Sequence, residues 1–547
     1  MAGFLERVKS LPTLGLGVST EFGAGDKAGS LDLRALRNRF PQYGAFLEVG
    51  VETAVGLDAH AREWLSSGAP TTYHFLDVNL DEPDDFDGPW LAELRAFVKT
   101  LRPAWVCGDA GLWHFGRRDR GQMLLLPPVL TSAVAEAMAP GVVRLREELG
   151  REVLPENPPG AVYLGDRHLL SFFGELCERA DTGMVLDVAH LAIYQAYAGL
   201  DALAGFGDFP IDRVVELHVA GGKRRSTDGY GWIEDDHGLE ILPETWRIVE
   251  HVVARAPNLK AIVFECERNR LHDLLPAMGR MQRLWAERGR HVGEPFGTPE
   301  VRRGKAMSLD AARDLQHQLV ERLFAPAVDA PVPAALADVD ARAFRTDRLR
   351  QRRLVGSLLE EYPASIAVVG LPAVDTFFDS LEWRACIRER GSLGLTFGDW
   401  VTGHAGALAR LELAVARARR ARPAPRRDGH LRLPATAELL VLPHGAYSAW
   451  EALHAEHGPA LPERVAAGLR ARRPEEGEAS EWIFVRVNAA GCAVEALPDA
   501  VGELLASVGE GGTRAAVVAE AVALGAPLDE AGDIVDGLVA DGLLVLD

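Results

Sequence analysis

The 547-residue chain has few cysteines, no long apolar run and a deficit of positive charge. Its five cysteines are odd in number and form no Cys-x-x-Cys pair, which argues against a disulfide framework or a thiolate zinc site and favours a reducing compartment. No stretch reaches the roughly 18 apolar residues of a membrane span, and the N-terminus lacks the apolar core of a signal peptide. We therefore expect a cytoplasmic protein with no membrane partner.

The charge balance narrows the choice of partners. The 59 Lys and Arg residues face 79 Asp and Glu residues, which gives a net charge of -20. Such a chain repels phosphate backbones, so nucleic acid is not expected as a partner. The contents of 48% hydrophobic and 25% charged residues are typical of globular proteins. A chain of this length is expected to form two to four domains.

Eight short apolar runs alternate with amphipathic segments in the first part of the chain. This alternation predicts a parallel sheet with right-handed crossovers, and eight units match a (β/α)8 TIM barrel, which usually needs about 250 residues. The runs are Leu14–Val18, Ala45–Val49, Thr71–Phe75, Ala104–Cys107, Glu152–Leu154, Met184–Leu186, Val214–Leu217 and Ala261–Phe264. An open doubly wound sheet is the alternative, but Gly15–Thr20 does not fit its G-x-G-x-x-G turn.

Acidic and imidazole side chains follow six of these runs. They are His74, Asp109, Glu156, Asp187, His218 and Glu265, and Asn157, His190, Asp235 and His237 lie near them in the sequence. Active sites of TIM barrels form where the strands end, so we expect these side chains at one mouth. Imidazole and carboxylate without thiolate favour iron, manganese or zinc, and this number of ligands predicts two or more ions. Any one of them alone is more often an ordinary hydrogen-bonded residue, so the prediction rests on the set.

The pattern changes after residue 290. An Ala/Pro/Val-rich run at 323–333 reads as extended, and we place a linker over 291–340 between a barrel at 1–290 and a helical domain at 341–425. An α+β region, 426–547, would follow, ending in three helices and a strand that suggest a winged-helix-like unit. Helices are expected at Phe344–Tyr362, Val374–Arg388, Trp400–Arg422, Asp499–Val508, Arg514–Ala523 and Leu528–Asp541, and strands at Ala437–Leu442, Trp482–Val487 and Leu543–Leu546.

The barrel half resembles a known family. Residues 14 to about 285 are similar to the multinuclear non-haem iron-dependent oxidative enzymes (MNIO), which include the methanobactin-biosynthesis oxidase. The matching segments are Glu156-Asn157-Pro158, Leu186–His190, Glu216–Gly221, Asp235-Asp236-His237 with Trp246 downstream, and Phe264-Glu265. The resemblance implies a TIM barrel with two or three iron ions. It also implies oxidation of a cysteine, or of a residue beside it, in a ribosomally made (RiPP) precursor peptide with dioxygen as co-substrate.

The resemblance also implies roles for individual residues. The metal ligands would be His74, Asp109, Glu156, Asp187, His190, His218, Asp235, His237 and Glu265, with His218, Asp187 and His190 as the catalytic core. Asn157 would be a ligand or an orienting neighbour. Three positions depart from the family pattern. Phe75 replaces a glycine, Ala110 replaces a histidine for which His114 could substitute, and His190 stands where many members have asparagine.

The second half resembles the partner proteins that are often encoded beside these oxidases and are thought to present the precursor peptide. The matching segments are Arg345–Arg353, Leu358–Pro363, Phe377-Phe378, Gly391–Leu393, Phe397-Gly398, Leu411-Glu412, Arg417–Arg420 and Glu495–Leu497. The resemblance implies an oxidase fused in cis to its recognition partner, which would bind a precursor peptide with a leader sequence. An unrelated helical domain with a solvated arginine face is the alternative.

The sequence thus predicts an iron- and dioxygen-dependent oxidase that modifies a cysteine-containing precursor peptide. Two other functions stay open. One is a metalloenzyme with a sugar-isomerase- or endonuclease-like TIM barrel, since such barrels also place His, Asp and Glu ligands at strand ends. The other is a non-catalytic binding scaffold, which the alanine at position 110 favours.

Overall fold

A computed structural model describes residues 3–21, 31–53, 56–116, 119–120, 122–289, 306–325, 331–346, 348–421, 429–474, 479–488, 491–509 and 511–546. The chain divides into two compact units. The first unit comprises Met1–His114, Arg120–Leu323 and Val328–Gln351, and the second comprises Phe115–Asp119, Phe324–Ala327 and Arg352–Asp547. No helix among the described residues combines the length and apolarity that crossing a bilayer requires.

Eight parallel strands of the first unit close into a barrel, which confirms the predicted TIM-barrel fold. Each of the eight apolar runs overlaps one strand of the barrel. The strands are β1 (Gly15–Glu21), β2 (Phe46–Gly50), β3 (Thr71–His74), β4 (Val106–Asp109), β5 (Val153–Glu156), β6 (Met184–Asp187), β7 (Val214–Ala220) and β10 (Ala261–Glu265). The ring closes where β1 pairs with both β2 and β10. A hairpin, β8 (Gly222–Thr227) and β9 (Tyr230–Asp235), follows β7.

Helices connect successive strands of the barrel, and one further helix precedes β1 and another follows β10. They are α1 (Phe4–Arg7), α2 (Leu33–Arg39), α3 (Ala59–Ser66), α4 (Gly88–Leu101), α5 (Ser132–Leu149), α6 (Leu169–Ala180), α7 (Val188–Ala198), α8 (Pro243–Arg255) and α9 (Leu271–Ala286). Several begin at a side chain that accepts a hydrogen bond from the first turn: Asp58 caps α3, Asp87 caps α4 and Thr131 caps α5. The amphipathic segments therefore form the crossover helices, as the alternating pattern predicted.

The interior of the barrel is layered, with apolar side chains beneath the polar ones. Cys107, Leu154, Val185 and Val263 belong to one buried cluster, which Phe4 of the N-terminal helix also joins. Each of these strand residues lies two positions before an acidic residue that ends its strand. Because strand side chains alternate with a period of two, each acid points to the same side of its strand as the apolar residue. The apolar layer thus supports a polar layer at the carboxyl ends of the strands.

The segment predicted as a linker, 291–340, contains regular structure. Helix α10 (Leu309–Leu323) lies within it and buries Ala312, Leu319 and Val320. Its apolar residues recur at helical spacing, and this periodicity outweighs the Ala/Pro/Val-rich composition that begins at residue 323. The segment assigned to the linker thus includes a helix at 309–323, whereas 290–305 and 326–330 lie outside the described residues.

Among its described residues, the second unit contains helices α12 to α21, most of α11 and six strands. The helices are α11 (Arg348–Glu361), α12 (Pro363–Val369), α13 (Leu371–Phe378), α14 (Leu381–Arg388), α15 (Leu393–Ala405), α16 (Ala407–Arg420), α17 (Ala446–His457), α18 (Leu461–Ala466), α19 (Asp499–Val508), α20 (Arg514–Ala523) and α21 (Ala531–Ala540). The strands are β11 (His430–Arg432), β12 (Ala437–Pro443), β13 (Ser480–Asn488), β14 (Gly491–Leu497), β15 (Gly512–Thr513) and β16 (Val545–Leu546).

Two predicted helices of this half are each broken in two. The predicted helix Trp400–Arg422 is interrupted at Gly406, whose φ of 67° lies in the left-handed region and ends α15 before α16 begins. The predicted helix Val374–Arg388 is interrupted before Ser380, whose hydroxyl caps α14 by accepting from the Trp383 amide. The sequence pattern detected the helical content but not these boundaries.

The predicted helical domain and the predicted α+β region share one core. Leu411 and Ala414 of α16 belong to the same buried cluster as Leu442, Ile483 and Val485 of the sheet β12-β13-β14. A second cluster joins α19, α20 and α21 to the small sheet β15-β11-β16. From residue 352 onward, the two regions therefore form one compact unit.

Candidate metal centre

The carboxyl ends of the barrel strands bring the predicted ligands together. His74, Asp109, Glu156, Asp187 and Glu265 are the last residues of β3, β4, β5, β6 and β10, and Asp235 is the last of β9. His218 lies within β7, His190 in the first turn of α7, and His237 in the loop after β9. Asp187 and His218 have no exposed surface, and Asp235 and His237 at the rim are partly exposed.

Glu156 lies at the centre of one half of this cluster. Its Oε2 is 2.8 Å from His74 Nε2, and its Oε1 is 3.0 Å from His218 Nδ1. Asp109 Oδ2 lies 3.7 Å from the same His74 nitrogen, and Asp109 Oδ1 lies 3.9 Å from His190 Nδ1. Glu156 therefore contacts two histidines contributed by strands on different sides of the barrel.

Asp235 and His237 form the other half, nearer the rim. Asp235 Oδ2 lies 3.4 Å from both His190 Nε2 and His237 Nε2. Glu265 lies between the halves, with Oε1 at 3.5 Å from His218 Nδ1 and Oε2 at 3.8 Å from His237 Nε2. Asp187 Oδ1 lies 3.7 Å from His190 Nδ1, so nitrogen–oxygen distances below 4 Å link all nine predicted ligands.

Several sets of three side chains have spacings that suit a metal ion. Ligand atoms around one ion lie within about 4.4 Å of each other, because each is about 2.0–2.2 Å from the ion. Sets whose ligand atoms all lie within 4.8 Å of one another are His74, Glu156 and His218; Asp109, Glu156 and His190; Asp187, His218 and Glu265; and Glu48, Glu216 and His218. Glu156 and His218 recur in these sets, so the possible ion positions adjoin one another.

Four carboxylate oxygens of the cluster have unused acceptor capacity. Asp109 Oδ1, Asp187 Oδ2, Asp235 Oδ1 and Glu265 Oε2 are buried and accept no hydrogen bond from the residues that the structure describes. A buried polar atom without a partner costs about 1–3 kcal/mol, and more when the group is charged. Because all four oxygens belong to the predicted ligand set, a bound cation accounts for them. The residues present therefore fit a metal centre.

The carboxyl groups of the cluster are strongly perturbed. Burial and the charge of Glu156 raise the pKa of Asp109 to about 7. Burial also raises the pKa of Asp187 well above its usual value, against the opposing charge of His190. For Glu156, burial opposes ionisation, but the charge and hydrogen bonding of His218 and His74 hold the pKa below its usual value. Neighbouring acids thus titrate differently according to the cations beside them.

The histidines retain protons when no metal compensates the acids. Burial opposes protonation of His74, but its hydrogen bond to Glu156 and the charges of Glu156 and Glu48 raise the pKa to about 9. The pKa values of His190 and His218 are also well above the usual value, because Asp187 and Glu156 outweigh the cost of burial. Metal ions bind the neutral imidazole, so metal binding here would displace protons.

Asn157 orients the centre with its side chain. Its Nδ2 donates to the Asp187 carbonyl oxygen at 2.8 Å, and its Oδ1 accepts from the Asp187 amide at 3.0 Å. Its own carbonyl oxygen lies 2.8 Å from His190 Nδ1. Both side-chain atoms are therefore engaged with backbone, which fits the orienting role and not that of a ligand.

His114 lies apart from the cluster. Its Nε2 is 3.1 Å from Asp85 Oδ2, and its carbonyl oxygen accepts from Asn79 Nδ2. The ring pairs with Asp85, and His114 belongs to none of the side-chain sets among the described residues that could hold an ion. Ala110 itself is fully buried, and its amide donates to the Glu156 carbonyl oxygen.

Three buried glutamates border the cluster and were not among the predicted ligands. Glu48 Oε2 lies 3.2 Å from His218 Nε2, and Glu267 Oε1 lies 2.8 Å from His237 Nδ1. Glu216 accepts a hydrogen bond from Trp105 Nε1 at 2.6 Å. A period of two could have revealed Glu216, because it lies two residues before His218 on β7. Glu48 could have been detected because it is the one charged residue within the apolar run Ala45–Val49.

The backbone approaches closely where the rim ligands are held. A Cβ atom at Gly221 would lie 2.3 Å from the Gly238 carbonyl oxygen, so the end of β7 reaches the His237 loop only because residue 221 is glycine. His237 has a φ of 48°, a left-handed conformation that costs roughly 1–3 kcal/mol. Asn269 Nδ2 donates to the His237 carbonyl oxygen and helps to hold this conformation.

Comparison with known proteins assigns the barrel to a family. Residues 31–285 match the family described as "RiPP precursor modification enzyme MbnB/TglH/ChrH". Every predicted ligand, and also Glu48, Glu216 and Glu267, lies inside the matched residues. The family predicted from the motifs is therefore confirmed for the barrel.

Proteins similar in sequence to the barrel are named UPF0276 proteins. A UPF0276 protein of Rhizorhabdus wittichii is 26% identical over 245 residues, which cover 41% of this chain and 84% of that protein. A UPF0276 protein of Bordetella pertussis is 27% identical over 217 residues, covering 38% of this chain and 74% of that protein. A solved xylose isomerase-like TIM-barrel protein from Mycobacterium smegmatis, in complex with magnesium, covers 52% of this chain and 100% of its own, with 10% identity and a TM-score of 0.33.

Proposed function

Because the barrel matches the family of RiPP precursor modification enzymes, we propose that this protein oxidises a cysteine-containing precursor peptide with iron and dioxygen. The observation that carries the proposal is the cluster of four histidines and five carboxylates, buried except at Asp235 and His237, inside the residues that match the family. Nitrogen and oxygen donors without cysteine suit iron among the redox-active metals. Adjoining three-residue sets that share Glu156 support more than one ion, since a carboxylate has two oxygens to offer.

The side chains present have distinct tasks in such a reaction. His74, Asp109, Glu156, Asp187, His190, His218, Asp235, His237 and Glu265 would hold two or three iron ions. Bound iron would supply one-electron redox chemistry and coordination positions for dioxygen and a substrate thiolate. The apolar layer beneath, with Leu154, Val185 and Val263, keeps water from the closed side of the centre. The partly exposed Asp235 and His237 mark the side from which a peptide would arrive.

The function is tested with full-length protein purified without oxygen. Iron content, oxygen consumption and the mass of a cysteine-containing precursor peptide are measured before and after reaction. We expect two or three iron ions per chain and a peptide mass change that requires both iron and dioxygen. Full activity in metal-free protein would contradict the proposal. Activity on a sugar with manganese or zinc, and no peptide product, would establish the isomerase-like alternative, and a stable barrel that binds no metal would establish the scaffold alternative.

We also propose that the second unit recognises the leader of the precursor peptide. Strand β14 pairs with β13 on one side and lies at the edge of the sheet order β12-β13-β14. An edge strand can accept an extended peptide by backbone hydrogen bonding, with neighbouring side chains giving specificity. Fusion to the barrel would raise the effective concentration of substrate into roughly the mM range for a flexible connection.

Leader recognition is tested with the intact chain and two peptides, one with the leader and one with the core alone. We expect the leader to tighten binding and to slow hydrogen exchange of the Gly491–Leu497 amides. Equal affinity of both peptides, or unchanged exchange across β14, would contradict the proposal. Either result would leave the metal chemistry of the barrel unaffected, because the core peptide can be assayed alone at high concentration.

A further inference from the structure

Three histidines of the metal centre are held on one ring nitrogen by a fixed acceptor. His218 Nε2 faces Glu48 Oε2 at 3.2 Å, His237 Nδ1 faces Glu267 Oε1 at 2.8 Å, and His190 Nδ1 faces the Asn157 carbonyl oxygen at 2.8 Å. A carboxylate or carbonyl oxygen accepts, so the facing nitrogen carries the hydrogen. The other nitrogen of each ring faces the predicted ligands.

The two acidic acceptors are themselves fixed. Glu48 is 1% exposed, and its Oε2 also accepts from Thr72 Oγ1 at 3.3 Å and Cys107 Sγ at 3.1 Å. Glu267 is 3% exposed, and Ser19 Oγ donates to its Oε2 at 3.4 Å. Neither glutamate is free to turn towards solvent. Each is a buried carboxylate placed against a histidine, and further donors hold Glu48 at the same oxygen and Glu267 at its second oxygen.

We propose that Glu48 and Glu267 are positioning residues that select the metal-binding nitrogen of His218 and His237. With Nε2 engaged by Glu48, His218 presents Nδ1, which lies 3.0 Å from Glu156 Oε1 and 3.5 Å from Glu265 Oε1. With Nδ1 engaged by Glu267, His237 presents Nε2, which lies 3.4 Å from Asp235 Oδ2. Carboxylates behind a ligating histidine fix its ring and increase its basicity as a ligand.

This inference rests on the proposed metal centre and adds two residues to it. His218 would bind through Nδ1, whereas His237 would bind through Nε2, because their glutamates face different nitrogens of the two rings. The difference follows from tertiary contacts and not from the order of residues. Glu48 lies 170 residues from His218 in sequence, and Glu267 lies 30 residues from His237.

The test compares Glu48→Gln and Glu267→Gln with a matched control, Asp85→Asn. The control alters another buried carboxylate–histidine pair, Asp85 with His114, which lies apart from the candidate ligands. Cobalt(II) serves as the probe in full-length protein, because its visible absorption reports ligand geometry without turnover. The number of ions bound, their affinity and the absorption spectrum are measured for each protein, with circular dichroism of the metal-free form to establish folding.

We expect Glu48→Gln and Glu267→Gln each to bind cobalt about 10–100-fold more weakly, with an altered spectrum and an unchanged number of ions. Asp85→Asn should match the wild type in affinity and spectrum. Wild-type affinity and spectrum in either glutamine variant overturns the role of that glutamate. Loss of one whole ion in Glu48→Gln also overturns the assignment, because Glu48 would then be a ligand, and an equal loss in the control would mean that any buried carboxylate has this effect.

Milder variants keep the inference testable if a glutamine variant does not fold. Thr72→Val removes a donor to Glu48, and Ser19→Ala removes one to Glu267, and both should weaken cobalt binding by a smaller factor in the same direction. Wild-type binding in both would count against the proposal. A wild-type protein that binds no cobalt, iron or other divalent ion overturns the proposed function itself, which separates that failure from failure of the positioning roles.

Discussion

Asn157 and Asp187 hydrogen-bond to each other in both directions, although 30 residues separate them in sequence. The side-chain Nδ2 of Asn157 donates to the Asp187 carbonyl oxygen at 2.8 Å, and the side-chain Oδ1 of Asn157 accepts from the Asp187 backbone amide at 3.0 Å. Asp187 ends β6 and also caps α7, since its side chain accepts from the His190 amide. One buried amide side chain therefore fixes the point where a strand ends, a helix begins and two predicted ligands emerge.

Replacement of Asn157 by alanine should destabilise the protein and weaken its metal binding. The change leaves a buried donor and a buried acceptor of the Asp187 backbone without their partner, at about 1–3 kcal/mol for each unsatisfied group. Urea unfolding and metal titration measure the two effects. Asn258→Ala removes a partly buried amide hydrogen bond to the Asp212 carbonyl oxygen, ahead of β7, and is the comparison variant. Wild-type stability in Asn157→Ala would show that the backbone relaxes to replace these bonds.

Replacement of His218 by alanine should abolish turnover while the barrel stays folded. His218 belongs to three of the four side-chain sets that could hold an ion. Because loss of a mere supporting residue costs about 10–100-fold in metal affinity or activity, loss of this ligand should cost at least as much. Metal analysis and peptide oxidation are the measurements. His251→Ala removes a buried histidine that packs on Phe206 away from the cluster, and it should retain its metal.

Metal binding should stabilise the barrel strongly. Crowded buried carboxylates repel each other, and a cation that binds only the folded state adds about 2.7 kcal/mol when its free concentration is about 100 times Kd. Thermal unfolding is followed with iron(II) under anaerobic conditions, then after addition of a chelator. We expect a rise in melting temperature that the chelator reverses. An unchanged melting temperature over a wide range of metal concentration would contradict the presence of a site.

The metal-free protein should lose stability as the pH rises from about 6.5 to about 9. The pKa of His74 is raised to about 9 in the folded protein. Protonation of His74 therefore stabilises the fold fully below the pKa of the unfolded chain, and this contribution is lost as the pH rises through the pKa of the folded chain. Asp109 and Glu216 have pKa values raised to about 7 and about 8, mainly by burial, so they too release protons in this range. The folded state binds more protons than the unfolded state there, and stability therefore falls with pH.

Urea unfolding of the metal-free chain at pH 6.5 and pH 9 measures this effect. The metal-loaded chain should show a smaller decline or the opposite trend, because metal takes the place of the displaced protons. Calorimetric titration of metal in buffers with different ionisation enthalpies counts those protons directly. Metal binding without proton release at pH 7 would be inconsistent with the raised pKa values of the histidines.

Glu412 should be required for local order in the second unit. Its carboxylate accepts from the Ala364 amide at 2.8 Å and from the Ser365 amide at 2.9 Å, at the first turn of α12. Glu412→Ala leaves these buried donors unsatisfied, so hydrogen exchange in 363–370 should accelerate. Exchange measured by mass spectrometry provides the readout. Glu382→Ala, on the exposed surface of α14, should exchange as the wild type does.

The sequence by itself determined the barrel and the chemistry of its mouth. Apolar runs of strand length alternating with amphipathic helices specify a parallel sheet with covered faces, and eight such units without a G-x-G-x-x-G turn favour the barrel over an open doubly wound sheet. The residue types at the strand ends, such as Glu156 and Asp187, specified oxygen and nitrogen ligands for a metal at the carboxyl end of the barrel. These features are local, because the spacing of apolar residues in a strand or a helix can be recognised from a short stretch of sequence.

Tertiary structure alone decided how those donors are used. The ring closes through the pairing of β1 with β10, which brings together side chains that are far apart in sequence, such as Glu48 and His218. Packing decided that His114 pairs with Asp85, and that Asn157 supports the Asp187 backbone. Which ring nitrogen of a histidine faces its neighbours depends on rotamers fixed by long-range contacts, and no local pattern of residues records it.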